Sequence, residues 1–383
     1  MLSVDGNPDY ATQDRYDFPD EATGIRAGPL ELMPAAAVTA AYDSNVLASP
    51  SQRRQSALSI SQALLQVTNE PGGLWDFDGE AYARARRFTQ ASDQNTTEYG
   101  ASGSVSGEAS TRDELTATFL AQHRFEARTD VETPLIREVS QYDERLANVS
   151  YAHTYDRLEV RYGAGAESLE YEDASQKYRD RSLYQGSVNA SYELPSGLAL
   201  LGTAYYNEDN YRFQSPAVTG GHTAGARAGA QASVPEVVDF QLSAGYFRRN
   251  MDRDLGELSG LTVLGSVVFY PTRLTTIRAD VSRSDYPTRI PGAYSKVRTD
   301  RLLEIGHAYS RSLNLYARAR VVVDDFSTVN RTDKTYLGEI GGFYEISRWL
   351  VLGVEYDYSE RSSAVTSVGF VQSLVSVSLI GRL

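Results

Sequence analysis

Apolar and polar residues alternate singly along most of this chain. In residues 74–88, Trp75, Phe77, Gly79, Ala81, Ala83 and Ala85 alternate with Asp76, Asp78, Glu80, Tyr82, Arg84 and Arg86. In 313–325, Leu315, Ala317, Ala319, Val321 and Val323 alternate with Asn314, Tyr316, Arg318, Arg320 and Asp324. In 349–360, Leu350, Leu352, Val354, Tyr356 and Tyr358 alternate with Gly353, Glu355, Asp357 and Ser359. A period of two is that of a β-strand with one apolar and one polar face. Such runs, about 10–14 residues each, recur from about Leu32 to the end and are bounded by turn signals.

The connections alternate in length. Short turns fall at Glu70-Pro71-Gly72-Gly73, Thr111-Arg112-Asp113, Tyr155-Asp156-Arg157, Pro195-Ser196-Gly197, Pro235-Glu236-Val237, Pro271-Thr272-Arg273, Ser310-Arg311-Ser312 and Ser347-Arg348. Longer polar loops fall near 45–55, 89–97, 128–140, 172–181, 214–221, 252–258, 285–298, 326–333 and 360–366. The runs between them number about 18, with 16 as the alternative, an even count in the range of transmembrane barrels. A propeller also repeats at roughly 40 residues, but each blade holds four shorter strands.

Composition decides what the polar face is for. Of 383 residues, 41% are hydrophobic and 23% charged, with Tyr at 26, Gly at 30 and no Cys. No stretch approaches the roughly 18 apolar residues of a transmembrane helix. The polar faces are too charged for the core of a soluble sandwich or solenoid, and no helix is predicted to cover a sheet. Apolar-out and charged-in is the economical arrangement. The chain therefore reads as an all-β transmembrane antiparallel barrel, with short periplasmic turns and longer extracellular loops. Residues 1–30, polar and rich in Asp, Gly and Pro, read as a periplasmic extension; residues 31–383 read as the barrel. Met1 runs into Leu2-Ser3-Val4-Asp5 without a basic or apolar leader, so the reading takes the chain as a mature form in the outer membrane of a Gram-negative bacterium. A net charge of −13 argues against nucleic acid as a partner.

The inward sets supply a predicted lumen lining: Asp76, Asp78, Glu80, Arg84, Arg86, Arg124, Arg161, Arg249, Arg278, Arg318, Arg320, Glu355 and Asp357. Opposite charges on neighbouring strands suit a hydrated pore, and they resemble walls that bind polyanionic sugars through Arg. The row of Asp76, Asp78 and Glu80 could also be a paired-acid site, but facing Arg residues favour the mixed-charge wall. Trp75 and Trp349 follow short turns and are expected in the periplasmic interface girdle; Tyr205, Tyr206, Tyr246, Tyr356 and Tyr358 lie towards the other strand ends. His123, His153 and His307 fall on lipid-facing sets, so no catalytic, cofactor or metal site is expected. Acidic residues Asp209, Asp252, Asp254, Asp324 and Asp325 read as solvated loop tips, without EF-hand spacing.

Two segments carry a resemblance: Gly24-Ile25-Arg26-Ala27-Gly28, followed by Tyr42-Asp43-Ser44-Asn45-Val46. They resemble the opening of the "putative β-barrel porin 2" family, and the later Asp, Arg and Thr turns are similar in style through nearly the whole chain. The final strand of this chain departs from many outer-membrane barrels by ending in Leu383 rather than an aromatic residue. The resemblance implies an outer-membrane conduit, with exopolysaccharide or capsule export as the candidate role and a periplasmic export partner. A general diffusion porin and a closed, partner-binding structural barrel stand as alternatives. Outer-membrane lipid and lipopolysaccharide are the expected surroundings; the oligomeric state stays open.

Overall fold

The computed structural model describes residues 24–69, 73–133, 139–213 and 218–383. The expected extension thus lies mostly outside the described residues, as do part of the turn at 70–73 and parts of the loops at 128–140 and 214–221. A three-residue strand, β1 (Ile25–Ala27), precedes eighteen long strands. These are β2 (Leu30–Asp43), β3 (Ser56–Asn69), β4 (Trp75–Phe88), β5 (Thr96–Ser110), β6 (Asp113–Phe125), β7 (Gln141–Tyr155), β8 (Leu158–Tyr171), β9 (Arg181–Glu193) and β10 (Ala199–Tyr211). They continue as β11 (Gly221–Val234), β12 (Val238–Met251), β13 (Glu257–Thr272), β14 (Thr275–Pro287), β15 (Ser295–Ser310), β16 (Leu313–Phe326), β17 (Arg331–Ser347), β18 (Leu350–Ser363) and β19 (Phe370–Arg382). Each pairs antiparallel with the next, and β19 pairs with β2, from Leu374↔Asp43 to Arg382↔Ala35. The ring closes as an 18-strand barrel, so the sheet has no terminal strand.

The seam is finished by β1. Strand β19 runs out at Ala35 of β2, and β1 takes over the same side of β2 at Leu30–Leu32. Pro34, which has no N–H to offer, falls between the two pairings. What the sequence reading placed in a loose extension therefore includes a short element of the wall.

Cross-strand partners fix which side chains share a face. Val38, Leu303, Ile340, Val354, Val375 and Val377 point outward and are exposed as a lipid-facing band would be. On β5, outward Gly103 and Gly107 lie under the rings of Phe119 and Trp75, so a Cβ at either would collide with the aromatic side chain. Aromatic cover of a strand glycine explains how so small a lipid-facing set can hold its register. Strand β3 departs from the simple pattern. Its outward set is Ala57, Ser59, Ser61 and Ala63, while Leu58, Ile60 and Leu64 face inward.

One part of the ring is open towards the long-loop end. Pairing of β13 with β14 stops at Val263↔Arg283, although β12 and β13 remain paired up to Asn250↔Glu257. Ser284–Pro287 pair only with β15. This freed segment turns into the lumen: Thr223 Oγ1 donates to Asp285 Oδ2 at 2.5 Å, and Tyr211 Oη donates to the Thr288 carbonyl at 3.0 Å.

The two faces of β6 give a direct check. Phe119→Arg, on the outward face near mid-strand, is expected to destabilise the barrel by about 2–4 kcal/mol, whereas Thr118→Arg, inward, should cost under about 1 kcal/mol. Urea-dependent folding into phospholipid vesicles measures both.

Candidate functional site: the lumen and its plug

By cross-strand register, the residues proposed to line the lumen share the face opposite the exposed apolar belt, taken as the inward one. On β4, Asp76, Asp78, Glu80, Arg84 and Arg86 share that face with Tyr82. Arg84 lies 3.5 Å from Glu98 across to β5, and Arg161 Nη2 lies 2.9 Å from Glu114 Oε2. Arg278 is bound to Asp280 at 2.7 Å. Arg318 bridges Glu304 at 2.6 Å and Glu339 at 3.5 Å, and Arg320 Nε holds Asp300 Oδ1 at 2.9 Å. Tyr316 Oη donates to Glu355. The carboxylates of Glu339, Glu355 and Asp357 gather with their oxygens within 4.8 Å of one another.

This charged wall, β14–β18, faces one whose middle band is neutral, with Glu114 and Arg161 on its short-turn side and Glu98, Arg124 and Glu144 on its long-loop side. Across the barrel, β5–β10 turn inward Ser102, Ser104, Thr116, Thr118, Asn148 and Ser150, and on further strands Gln185, Asn189 and Thr203. These hydroxyls and amides bond among themselves, as in Gln185 Nε2 to Asn148 Oδ1 at 3.1 Å and Thr203 Oγ1 to Asn189 Oδ1 at 2.9 Å.

At the long-loop end the lumen is crossed by a plug; narrowing by extracellular loops was expected from the sequence, but the residues that build it were not identified. Three pieces build it: the loop after β6, the 3₁₀ turn Ala174–Arg179, and the loop after β14. Glu126 is its centre. Arg179 grips it through both nitrogens, at 2.9 and 2.5 Å; Arg289 Nη1 reaches it at 2.6 Å and Tyr171 Oη at 2.7 Å. Glu132 receives Arg289 Nε at 2.7 Å and Lys296 Nζ at 2.8 Å. Lys296 lies 3.7 Å from Asp324, which Arg298 holds at 2.8 Å. Arg361 of β18 donates to the Thr129 and Asp130 carbonyls, tying the plug to the opposite wall. Val131, Ala293 and Phe326 form a small apolar centre for it. Below the plug lies a cavity of about 150 Å³ that reaches from Arg124 and Glu144 to Arg320 and Arg361.

The ion pairs hold although burial opposes charge. Burial alone would hold the Glu132 carboxyl neutral, but Lys296 and Arg289 outweigh that penalty and hold it well below the usual carboxylate range. Against its own burial, Tyr171, Glu126, Glu132 and Asp130 push Arg289 well above its ordinary value. A second buried pair braces the freed end of β14: Arg249 Nη2 to Asp209 Oδ1 at 2.6 Å, with Asp285 at 3.7 Å. Asp209 and Asp324 are each 1% exposed. The expectation that they are solvated loop tips is thus corrected: both stand near strand ends that continue into the plugged region, where Arg249, Arg298 and Lys296 wait for them.

The aromatic positions divide. Trp75 and Trp349 lie at the short-turn end and are half-exposed; Trp349 stacks under Arg348 at 4.3 Å. Tyr356 and Tyr358 point outward on β18. Tyr206 and Tyr246 also point outward, whereas Tyr205 faces the lumen with Arg227 over its ring at 5.4 Å. The histidines lie on the outer side. His123 stacks on Tyr99 and meets Asp143 at 2.9 Å, and His153 meets Asp113 at 2.6 Å. Ser110 donates to Asp113 rather than to the imidazole, which is not the order of a nucleophilic triad.

A closed strand ring, a lipid-facing belt and a polar, ion-lined interior define an outer-membrane barrel of the porin type. The sequence matches the family model described as "Putative beta-barrel porin 2" over residues 18–383, and the chain belongs to that family. Among solved structures it is similar to the FrpB iron transporter of Neisseria meningitidis (F5-1 variant, apoprotein), with TM-score 0.50 and 9% identity. That match covers 89% of this chain and 62% of FrpB, so the chain spans under two thirds of FrpB's length. It is also similar to OpdK of Pseudomonas aeruginosa, solved with vanillate, at TM-score 0.48 and 10% identity, covering 92% of this chain and 99% of OpdK. OccAB3 of Acinetobacter baumannii matches at TM-score 0.48 and 9% identity, with 92% and 99% covered. No curated protein matches the sequence. Family and fold are those of the bacterial outer membrane.

The plug carries a pH signature. Glu132 is depressed in the folded state, so its contribution is complete above its ordinary value of 4.5 and is lost as pH falls below that. Planar-bilayer recording should therefore show unchanged closure between about pH 5 and 8, with openings growing only as the pH is taken well below the ordinary carboxylate value. Arg289→Ala, which leaves Glu126 with Arg179 and Glu132 with Lys296, should weaken closure by about 3 kcal/mol, the low end for breaking a buried pair. The open-to-closed ratio would then rise roughly a hundredfold.

Proposed function

We propose that the protein is a gated outer-membrane conduit for a hydrophilic chain, with export of an exopolysaccharide or capsule as its role and no bond chemistry of its own. The observation that carries the gated reading is the plug. Charged loop residues cross the lumen and pair with both walls, which a permanently open diffusion pore does not need. The neutral wall supports a carbohydrate cargo. Serine, threonine and amide side chains offer many weak, interchangeable hydrogen bonds, so a sugar chain can be wetted and slide without being trapped. The polysaccharide itself, and a periplasmic partner to deliver it, come from the family resemblance. Lipopolysaccharide and lipid are proposed to surround the outward belt.

Two measurements test this. The Glu126→Ala/Glu132→Ala double variant leaves Arg179, Arg289 and Lys296 to repel one another and is expected to conduct steadily, where the unmodified barrel stays mostly closed. Equal currents from both would show that the plug is not the constriction. A strain lacking the protein should lose surface polysaccharide and keep normal uptake of small solutes. The reverse pattern would replace export by a general diffusion role.

A further inference from the structure

Charge is unevenly distributed along the lumen axis. In the short-turn half, inward acids far outnumber cations. Among the described strand residues the inward cations there are Arg26, Arg161, Arg278, Arg318 and Arg382; Arg26 stands across from Glu31, and the others are matched by Glu114, Asp280, Glu304 and Glu345 of the same half. The excess is one of number: further inward acids stand on two separate stretches of wall, and Glu339 among them shares Arg318 with Glu304. Asp76, Asp78 and Glu80 lie on β4; Glu339, Glu355 and Asp357 lie on β17 and β18. In the long-loop half the balance reverses. Inward Arg124, Arg249, Lys296, Arg298, Arg320 and Arg361 at least match the acids they meet.

We propose that the short-turn half of the lumen is a charge filter that admits cations and neutral hydrophilic chains and turns polyanions back. The inference rests on the conduit reading and narrows its cargo to a neutral or amine-bearing chain. Arginine rows resembling those that bind polyanionic sugars are present, but they lie beyond the acidic mouth, on the far side from the periplasm. Within the lumen, an exported chain passes these acids before it reaches those rows. The negative potential acts across the mouth because a low-dielectric wall focuses it, and because the screening length at physiological salt, about 8 Å, is comparable to the reach of the side chains into the lumen.

The reversal potential under a KCl gradient tests the filter. It is measured on the unmodified barrel, on the plug-opened Glu126→Ala/Glu132→Ala variant, and on that variant carrying Asp76→Asn, Asp78→Asn, Glu355→Gln and Asp357→Asn. In about 0.1 M salt, the plug-opened barrel should favour K⁺ over Cl⁻ roughly fivefold, and the preference should fall towards unity in the neutralised variant. Should the neutralised variant fail to fold, the same collapse is expected for the plug-opened barrel in 1 M salt, where the screening length is about 3 Å. A current without preference, or one favouring Cl⁻, overturns the filter and leaves the conduit standing. No current from any form overturns the conduit, and the filter with it.

Discussion

The whole structure depends on one constraint: in hydrocarbon, every peptide N–H and C=O must find its partner within the protein. Strand pairing satisfies that only if the sheet has no ends, and the pairing of β19 with β2 removes them. The consequences run in order. Once the sheet is closed, one face of every strand belongs to lipid and the other to the lumen. Charge is then confined to the inside, except near the rims. The short β1 belongs to the same logic, since it covers the stretch of β2 that β19 leaves bare.

A lumen lined with charge can only be narrowed by charge. Loops that fold into it must bring counter-ions, and the plug does so: Glu126 and Glu132 are shared among Arg179, Arg289 and Lys296. Such networks hold one arrangement firmly while adding little net stability, because desolvation offsets most of the attraction. That balance suits an element that closes a passage and can leave it again. Only a small apolar centre, Val131, Ala293 and Phe326, would be exposed when it does.

The barrel was legible in the sequence because its signal is local. A period of two and the Pro-, Gly-, Asp- and Arg-bearing turns need no knowledge of distant contacts, and they located the strands and the eighteen-fold count. The inward direction of Arg318, Arg320, Glu355 and Asp357 follows from the same period. Strand β3 was less clear, since Ala57, Ser59 and Ser61 on its outer face are no more apolar than Leu58 and Ile60 within. That loops would narrow the lumen was expected, but which residues build the plug was not legible. Glu132 and Arg289 stand 157 residues apart, and Glu126 and Arg179 stand 53 apart, in loops whose polarity reads equally well as solvation. Asp209 and Asp324 were misread for the same reason. A local hint was present in apolar residues set among charges in the loops, such as Val131 between Asp130 and Glu132, and Ile290 beside Arg289.

The central claim is that this lumen is open to the short-turn side and sealed at the long-loop side. The absence of native Cys allows a direct measurement, because a single Ser102→Cys substitution places one thiol on the neutral wall below the plug. A membrane-impermeant maleimide added to intact cells should leave that thiol unmodified, and the same reagent admitted to the periplasm should label it. Rapid labelling from outside the intact cell would contradict the account.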